Sequence, residues 1–350
     1  MDPANRGVTH SPLLELTLAR LREFVREPEA LFWAFVFPIV MSVALAIAFP
    51  GGRVRPVIVG LEPGPQIDAV RDTLRATPDV RVRELSREEQ ERALREGEVH
   101  LVVVPTDPPA YRFDPARDES RIARLVIDDA LKRGAGREDP WRAREEPVQV
   151  AGSRYIDWLI PGILGMNIMG TGMWGIGFSI VQSRMRKLLK RLVASPMRRW
   201  EYLLAQTLAR LVFLGPEILV PLGFGALALG MPIRGSYGAI VVVSLVGALA
   251  FTGIGLLAAS RARTFEAISG ILNMCMLPMW VLSGVFFSAA NFPEMVQPFI
   301  QALPLTALID ALRAVILEGA GVREVSGELA LLSAWAVFPF VIAVKTFRWR

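Results

Sequence analysis

Six stretches of about 20 mostly apolar residues dominate this sequence of 350 residues. A helix needs about 20 such residues to cross the hydrocarbon core of a bilayer, which is roughly 30 Å thick. The six predicted membrane spans are residues 31–50, about 157–181, about 203–230, 236–259, about 267–289 and about 328–344. The pattern therefore predicts an α-helical integral membrane protein with six transmembrane helices.

Residues 51–155 form a polar block between the first two predicted spans. The block carries 39 charged side chains in 105 positions, whereas the other 245 residues carry 34. Apolar runs at 56–60 and 101–105 predict strands, and the segments between them have helical spacing. Ser86 and Glu89 have the spacing of a capping box at the start of one helix. The block is therefore predicted to be a small inserted α/β domain, with nothing catalytic in its charge pattern.

The distribution of basic residues predicts the orientation of the chain. Short loops on one side of the predicted bundle carry 16 Lys and Arg, and those on the other side carry three. By the positive-inside rule both termini are cytoplasmic and the polar block is exported. The net charge of +5 then marks cytoplasmic loops, and it does not indicate nucleic acid as a partner. Cleavage of the first span as a signal peptide is disfavoured, because 30 residues containing four glutamates precede it.

These observations predict the organisation of the chain. Residues 1–30 are expected to be a cytoplasmic segment, and within them 12–27 place Leu14, Leu18, Leu21 and Val25 on one helical face. Such a helix lies in the membrane interface with arginines towards headgroups, or else packs on a cytosolic partner. The predicted parts are 1–30 with this amphipathic helix, 31–50 as the first span, 51–155 as the extracytoplasmic α/β domain, and 156–350 as the remaining five helices.

Arg210 and Glu217 are ionisable residues at predicted membrane depth. They are seven positions apart in the third span and therefore share one helical face. Charge at this depth is costly and often functional. The spacing alone leaves open a buried structural pair, a lining of the transport route, and proton coupling. Asp157 and Glu266 lie near span ends, where an interfacial position is expected.

The segment 184–202 is basic and amphipathic, and it is interrupted by Ser195-Pro196 before the third span begins. Spacing alone permits two interpretations. The segment is either a rigid cytoplasmic hairpin that transmits force from a partner, or a positive anchor on anionic lipid.

Three motifs, taken with their order along the chain, resemble the type-2 ABC transporter permeases, which are the membrane subunits of ABC exporters. The motifs are KRLVASPMRRWEYLLAQ (190–206), PMWVLSGVFFSAANFP (278–293) and LPLTALIDALRAVILEG (303–319). The resemblance covers nearly the whole chain, and the large insert is similar to the branch that exports drugs, lipids or other hydrophobic compounds. The last span is the weakly defined part.

The resemblance implies that 184–200 is a coupling segment that docks on an ATP-binding cassette ATPase subunit, and that 294–318 are short helices in the outer leaflet. The implied coupling residues are Arg186, Lys190, Arg191, Ser195, Pro196, Arg198, Arg199, Trp200 and Glu201. The chain contains no G-x-x-x-x-G-K-[ST] motif. ATP and Mg²⁺ are therefore expected on the partner, and this chain is expected to bind no cofactor or metal and to be no enzyme.

The family also implies a second permease copy, as a homodimer or with a close paralogue, together with membrane lipid and a hydrophobic substrate as partners. The expected location is the cell (inner) membrane of a bacterium or archaeon. The alternative function is a membrane-anchored sensor or assembly factor that uses the exported α/β domain. An ion-driven carrier is a further alternative, but we find no inverted repeat of spans that would favour it.

Overall fold

The computed structural model describes residues 12–49, 56–64, 67–138, 152, 154–189 and 199–347, together with positions 141, 144 and 146. In chain order its elements are α1 (Pro12–Val25), α2 (Pro28–Ala48), β1 (Val57–Leu61), α3 (Ile67–Ala76), β2 (Val80–Glu84), α4 (Arg87–Glu96), β3 (Leu101–Val104), β4 (Ala110–Arg112), α5 (Asp118–Gly134), α6 (Tyr155–Met185), α7 (Arg199–Ala228), α8 (Tyr237–Ala259), α9 (Phe265–Leu282), α10 (Glu294–Gln301), α11 (Pro304–Glu318) and α12 (Ser326–Thr346). The chain divides into two compact units, one of Met1–Gly51 with Gln149–Arg350 and the other of Gly52–Val148.

The first unit is a bundle of apolar helices. Within the described residues, six helices are long and apolar enough to cross a membrane, namely α2, α6, α7, α8, α9 and α12. The prediction of six spans is thus confirmed, although several bounds differ by a few residues. The largest difference is in the fifth span, which ends at Leu282 instead of near 289. Gly284 follows in a left-handed conformation, with φ of 74°, and this favours a turn over a further helical turn.

Helices α6 and α8 form the centre of the bundle. Of the most apolar 18 residues in each of these helices 67% are buried, compared with 17% in α2 and in α12. The two helices approach closely where Gly172 of α6 meets α8. A Cβ at Gly172 would lie 2.9 Å from the Cβ of Phe251, and one at Gly255 would lie 3.0 Å from the Gly172 carbonyl oxygen. Larger residues would force these two helices apart.

Two features interrupt the regular helices of this unit. Helix α6 contains a π-helical turn at Thr171–Gly175, in the middle of its length. Helices α10 and α11 are bent by 85° relative to each other. The side chains of Leu305, Leu308 and Leu312 on α11 are fully buried.

The second unit contains a four-stranded sheet in the order β2-β1-β3-β4. Strand β1 pairs in parallel with β2 and β3, whereas β4 runs antiparallel to β3. Buried side chains of β1 and β3 meet Leu74 of α3 and Ile127 of α5 in the core. The strands and helices predicted from the polar block are all present, which confirms the α/β character of this segment.

Local sequence signals explain the ends of α4. The Ser86 backbone N–H donates to Glu89 Oε2 over 3.1 Å, and Gly97 ends the helix with φ of 75°. The hydroxyl and N–H of Ser86 lower the pKa of the Glu89 carboxyl below its ordinary value.

Burial, aided by the nearby Asp128 carboxylate, raises the pKa of Tyr111 to about 12.

Candidate functional site

Arg210 and Glu217 form a direct ion pair within the bundle. Arg210 Nη2 lies 2.7 Å from Glu217 Oε2, and the two side chains are 6% and 1% exposed. Seven residues of helix rise by about 10.5 Å, and the Arg210 and Glu217 side chains together cover that distance by extending towards each other. The prediction that both groups share one face of α7 is therefore confirmed, and no intervening group is needed to join them.

Thr171 completes a polar cluster between α7 and α6. Arg210 Nη2 donates to Thr171 Oγ1 over 2.7 Å, and the Ile168 carbonyl oxygen lies 3.4 Å away. Thr171 Oγ1 is also 2.8 Å from the Asn167 carbonyl oxygen and 3.3 Å from Glu217 Oε2. Because Thr171 opens the π-helical turn of α6, the cluster sits where the regular helical hydrogen bonding changes.

The cluster is incompletely hydrogen-bonded. Within the described part of the chain, Glu217 Oε1 and the Nε and Nη1 atoms of Arg210 are buried without a hydrogen-bond partner. Beside the pair lies a cleft of about 30 Å³ that is also lined by Gln206 and Phe213. Buried charged groups that lack hydrogen-bond partners are energetically costly. A small rearrangement of the side chains, or a water molecule, can supply the missing hydrogen bonds.

Helix α1 packs beside the same cluster, where Arg20 and Phe24 line the cleft next to the ion pair. Arg20 Nη2 donates to the Gly175 carbonyl oxygen over 3.1 Å and Arg20 Nη1 pairs with Glu23 at 2.6 Å. The rings of Phe24 and Phe213 have centroids 4.1 Å apart, which fixes α1 against α7. The predicted amphipathic helix therefore packs on its own bundle by one side. Its predicted apolar face stays outward, with Leu14, Leu18 and Val25 exposed by 47%, 36% and 58%.

The predicted coupling segment is described only at its two ends. Arg186 is exposed just after α6, and Glu201 is half-buried in the first turn of α7. Arg199 and Trp200 begin α7, but their side chains lie outside the described residues. Also outside are Lys190, Arg191, Ser195, Pro196 and Arg198.

Arg184 is one of the basic loop residues that predict the orientation of the chain. In the structure its side chain also binds backbone carbonyl oxygens. Its Nη1 donates to the Ala259 carbonyl oxygen over 3.0 Å and also to that of Ala262, while Nη2 lies 3.2 Å from the Ser260 carbonyl oxygen. A cation at the last carbonyls of a helix satisfies acceptors that have no partner within the helix. Arg184 thus joins the end of α6 to the end of α8.

Asp157 lies in the first turn of α6, near a span end as the sequence predicts, and its side chain is only 4% exposed within the protein. Arg154 explains the burial, because it forms two hydrogen bonds with Asp157, of 2.6 and 2.9 Å, and also donates to the Gly230 carbonyl oxygen over 2.8 Å. A bidentate partner offsets the cost of removing the carboxylate from water.

Arg313 is a second deeply placed arginine that sequence reasoning missed. Its Nη2 donates to the Gly284 carbonyl oxygen over 2.6 Å and its Nε to the Trp158 carbonyl oxygen over 3.2 Å. The guanidinium also lies 3.6 Å from the centre of the Trp158 ring. It therefore connects α11 to the start of α6 and to the turn after α9. The only sequence signal was an arginine on the apolar 303–319 segment.

Among the described residues, no group of three or more His, Cys, Asp or Glu side chains could hold a metal ion. What the structure offers instead is a bundle of six membrane-length helices, with a buried and incompletely hydrogen-bonded polar cluster inside it and a basic segment between its second and third spans. These features define a multi-pass helical membrane protein.

Residues 134–317 match the model of the ABC-2 type transporter family. This match covers more than half of the sequence, and the chain belongs to that family.

Three curated relatives illustrate the likeness. Inner membrane transport permease YhhJ of Escherichia coli K12 is 25% identical over 177 residues, which are 49% of this chain and 46% of that protein. Probable multidrug ABC transporter permease YbhS of the same strain is 29% identical over 166 residues, 46% of this chain and 43% of the relative. Nodulation protein J of Bradyrhizobium diazoefficiens is 30% identical over 112 residues, 32% of this chain and 42% of the relative. The chain spans less than half the length of each of these relatives.

Proposed function

We propose that this chain is the permease subunit of an ATP-binding cassette exporter. It moves a hydrophobic or amphipathic substrate out of the cytoplasm or the inner leaflet, and the ATP is hydrolysed with Mg²⁺ on a separate subunit. The observation that carries the proposal is the family match, which covers α6 to α11 in one continuous segment. The printed name of the relative YbhS, a probable multidrug permease, agrees with a hydrophobic substrate.

The working unit is proposed to contain two permease copies. Helix α9 buries Ile268, Leu272 and Met276 on one side, yet leaves Met274 and Val281 exposed by 81% and 53% on the other. A helix that is apolar on both sides faces lipid or another membrane helix. We assign the outer face of α9 to the second copy, so that the substrate path runs between the two fifth spans.

Residues 184–200 are proposed to receive the movement of the ATPase. Their described ends are rigidly attached, because Arg184 binds the end of α8 and residue 199 opens the continuous helix α7. A force on this loop therefore acts directly on two spans. The proposed contact residues are Arg186, Lys190, Arg191, Ser195, Pro196, Arg198, Arg199, Trp200 and Glu201.

The Arg210–Glu217 cluster is proposed to be the element that responds to this force. Arg210 lies 11 residues from the start of α7, which is about 16 Å along a straight helix. Rotation of α7 would move the pair past the π-helical turn at Thr171, and the pair has spare donors on Arg210 and a spare acceptor on Glu217 for new contacts there. This proposal requires neither a route-lining nor a proton-coupling role for the pair.

The remaining proposals concern location. The chain is proposed to lie in the (inner) membrane of a bacterial or archaeal cell. The loop charges support cytoplasmic termini and a position of the unit Gly52–Val148 outside the cytoplasm. There it would meet a substrate or partner after export.

The test is a charge reversal in the coupling segment of the full chain. The variant R186E/K190E/R191E should insert normally, but should no longer co-purify with a P-loop ATPase or support ATP hydrolysis in lipid nanodiscs. The control R261E/R263E reverses two exposed charges of the loop after α8, and it should retain the ATPase. Unchanged ATPase binding in the first variant would contradict the proposal.

A further inference from the structure

A charged groove lies between α1 and the end of α6. It has a volume of about 470 Å³, and its lining includes Arg22, Arg26, Glu27, Gln182 and Arg186. Arg26 and Glu27 immediately precede the first span, and Arg186 immediately follows the second. The groove is therefore at the level where two spans leave the hydrocarbon core on the same side.

The groove carries unused positive charge. Arg22, Arg26 and Arg186 make no ion pair within the described part of the chain, whereas the groove's Glu23 is already bound to Arg20 at 2.6 Å. Three guanidinium groups thus face one further carboxylate, that of Glu27. Guanidinium groups bind phosphate oxygens in a bidentate manner and are weakly hydrated, so such a set favours a phosphate ligand.

An exposed apolar strip borders this basic groove. At 100° per residue, Leu14, Leu18 and Val25 lie within about 40° of one another along α1, and Arg22 and Arg26 lie about 60° and 100° to one side of that strip. The opposite side of α1 is occupied by the contacts of Arg20 and Phe24 with the bundle. A ligand that fits both features has a phosphate at one end and an apolar chain at the other.

We propose that this groove binds the phosphodiester headgroup of an anionic glycerophospholipid, whose acyl chain lies along Leu14, Leu18 and Val25. The site is a specific lipid site formed by two elements, which goes beyond a general attraction of α1 to the membrane surface. Free phosphate could bind the same arginines, but it would leave the apolar strip exposed. An acidic protein surface would also leave that strip exposed, and it would compete with lipid for Arg186.

The test uses the purified full-length permease without any ATPase, so that its outcome is independent of the proposed function. Lipids retained in mild detergent are counted by native mass spectrometry, and binding is titrated with vesicles of phosphatidylglycerol in phosphatidylcholine. The wild type should retain about one anionic phospholipid per chain. Because each basic group near an anionic surface contributes roughly a fivefold gain in affinity, R22Q/R26Q should weaken retention by roughly 25-fold.

Three controls make the test decisive. R261Q/R263Q removes two exposed charges elsewhere and should retain the lipid, and R22K/R26K should recover most of the binding if folding is intact. L14S/L18S should weaken lipid binding, while inorganic phosphate should displace lipid poorly from the wild type. Equal retention by R22Q/R26Q and the wild type would overturn the proposal. So would equal loss in R261Q/R263Q, or displacement by inorganic phosphate at low concentration.

Discussion

Two arginines of the same helical bundle, Arg210 buried and Arg313 partly buried, are held in opposite ways. Arg313 donates to the carbonyl oxygens of Gly284 and Trp158 and stacks on the Trp158 ring, while its nearest carboxylate, Asp310, is 4.0 Å away. Arg210 has a carboxylate at 2.7 Å, yet two of its nitrogen atoms have no partner among the described residues. Arg313 is bound to the backbone, and Arg210 is bound to another side chain.

In the proposed transport cycle, Arg313 would be a fixed joint and the Arg210–Glu217 pair a movable one. Backbone carbonyls cannot change rotamer, so Arg313 holds α6, α9 and α11 in one arrangement. The Arg210–Glu217 pair is made of two side chains beside a π-helical turn, and both retain unused hydrogen-bonding capacity. Elements with two alternative arrangements are what a conformational cycle requires. Variants at the two sites test this distinction. Their stability is the free energy of unfolding of the full chain in mild detergent.

The largest effect is expected from removing one partner of the ion pair. Glu217→Leu leaves Arg210 buried without its counter-charge, and this should cost about 3–5 kcal/mol. The double variant R210L/E217L removes both charges, and its stability should return to within about 1 kcal/mol of the wild type. A double-mutant cycle measures the coupling between the two residues.

The same double variant separates structure from function. If the pair is the movable element, R210L/E217L should be stable but should lose most of its coupling to ATP hydrolysis. If the double variant is stable and its transport remains fully coupled to ATP hydrolysis, the pair has only a structural role.

A smaller loss is expected at the fixed joint. Arg313→Leu removes two charge-assisted hydrogen bonds to carbonyl oxygens and a cation–π contact, at a cost of about 2–4 kcal/mol. Arg313→Lys should not recover this loss, because an ammonium cannot reach both carbonyls in the planar geometry of the guanidinium. Thermal unfolding of both variants measures the effect, and full rescue by lysine would show that charge alone matters there.

Thr171→Val tests the link between the two sides of the cluster. It removes the hydroxyl that accepts from Arg210 Nη2, and stability should fall by about 1–2 kcal/mol. The matched control is Thr252→Val on α8, where the hydroxyl is buried without a hydrogen-bond partner among the described residues. That control should be neutral or slightly stabilising. Equal losses in the two variants would remove the special role of Thr171.

The smallest effect is expected at Arg20. Arg20→Gln loses the hydrogen bond to the Gly175 carbonyl oxygen, but the side chain is 16% exposed and water can replace it. The cost should be about 1 kcal/mol or less. Limited proteolysis should nevertheless show faster cleavage near α1, whereas Arg263→Gln should behave as the wild type. An unchanged rate for Arg20→Gln would mean that the aromatic contact of Phe24 alone holds α1.

The parts of this structure that the sequence predicts are those with local signals. Apolar length predicts the six spans, and the capping box at Ser86 with Gly97 predicts both ends of α4. The seven-residue spacing predicts that Arg210 and Glu217 share a face, because helical periodicity is a local property. The family resemblance is confirmed by the match over 134–317.

The parts that it does not predict depend on packing between distant segments. Thr171 is one hydroxyl in an apolar span, and nothing in its neighbourhood reveals that Arg210 lies against it. The sequence predicts that Arg184 belongs to a basic segment that sets orientation or transmits force. It does not predict the carbonyl partners of Arg184, because they lie about 75 residues away. The order of the strands also depends on long-range pairing, which strand spacing alone does not determine.

The most direct test of the account is backbone hydrogen exchange of the full complex with its ATPase, measured nucleotide-free and trapped with ATP and vanadate. We predict that exchange changes at 167–176 and 206–218, around the Arg210–Glu217 cluster, and stays constant at 156–162 and 282–286, around Arg313. A uniform change, a change confined to the Arg313 region, or no response to nucleotide would contradict the account.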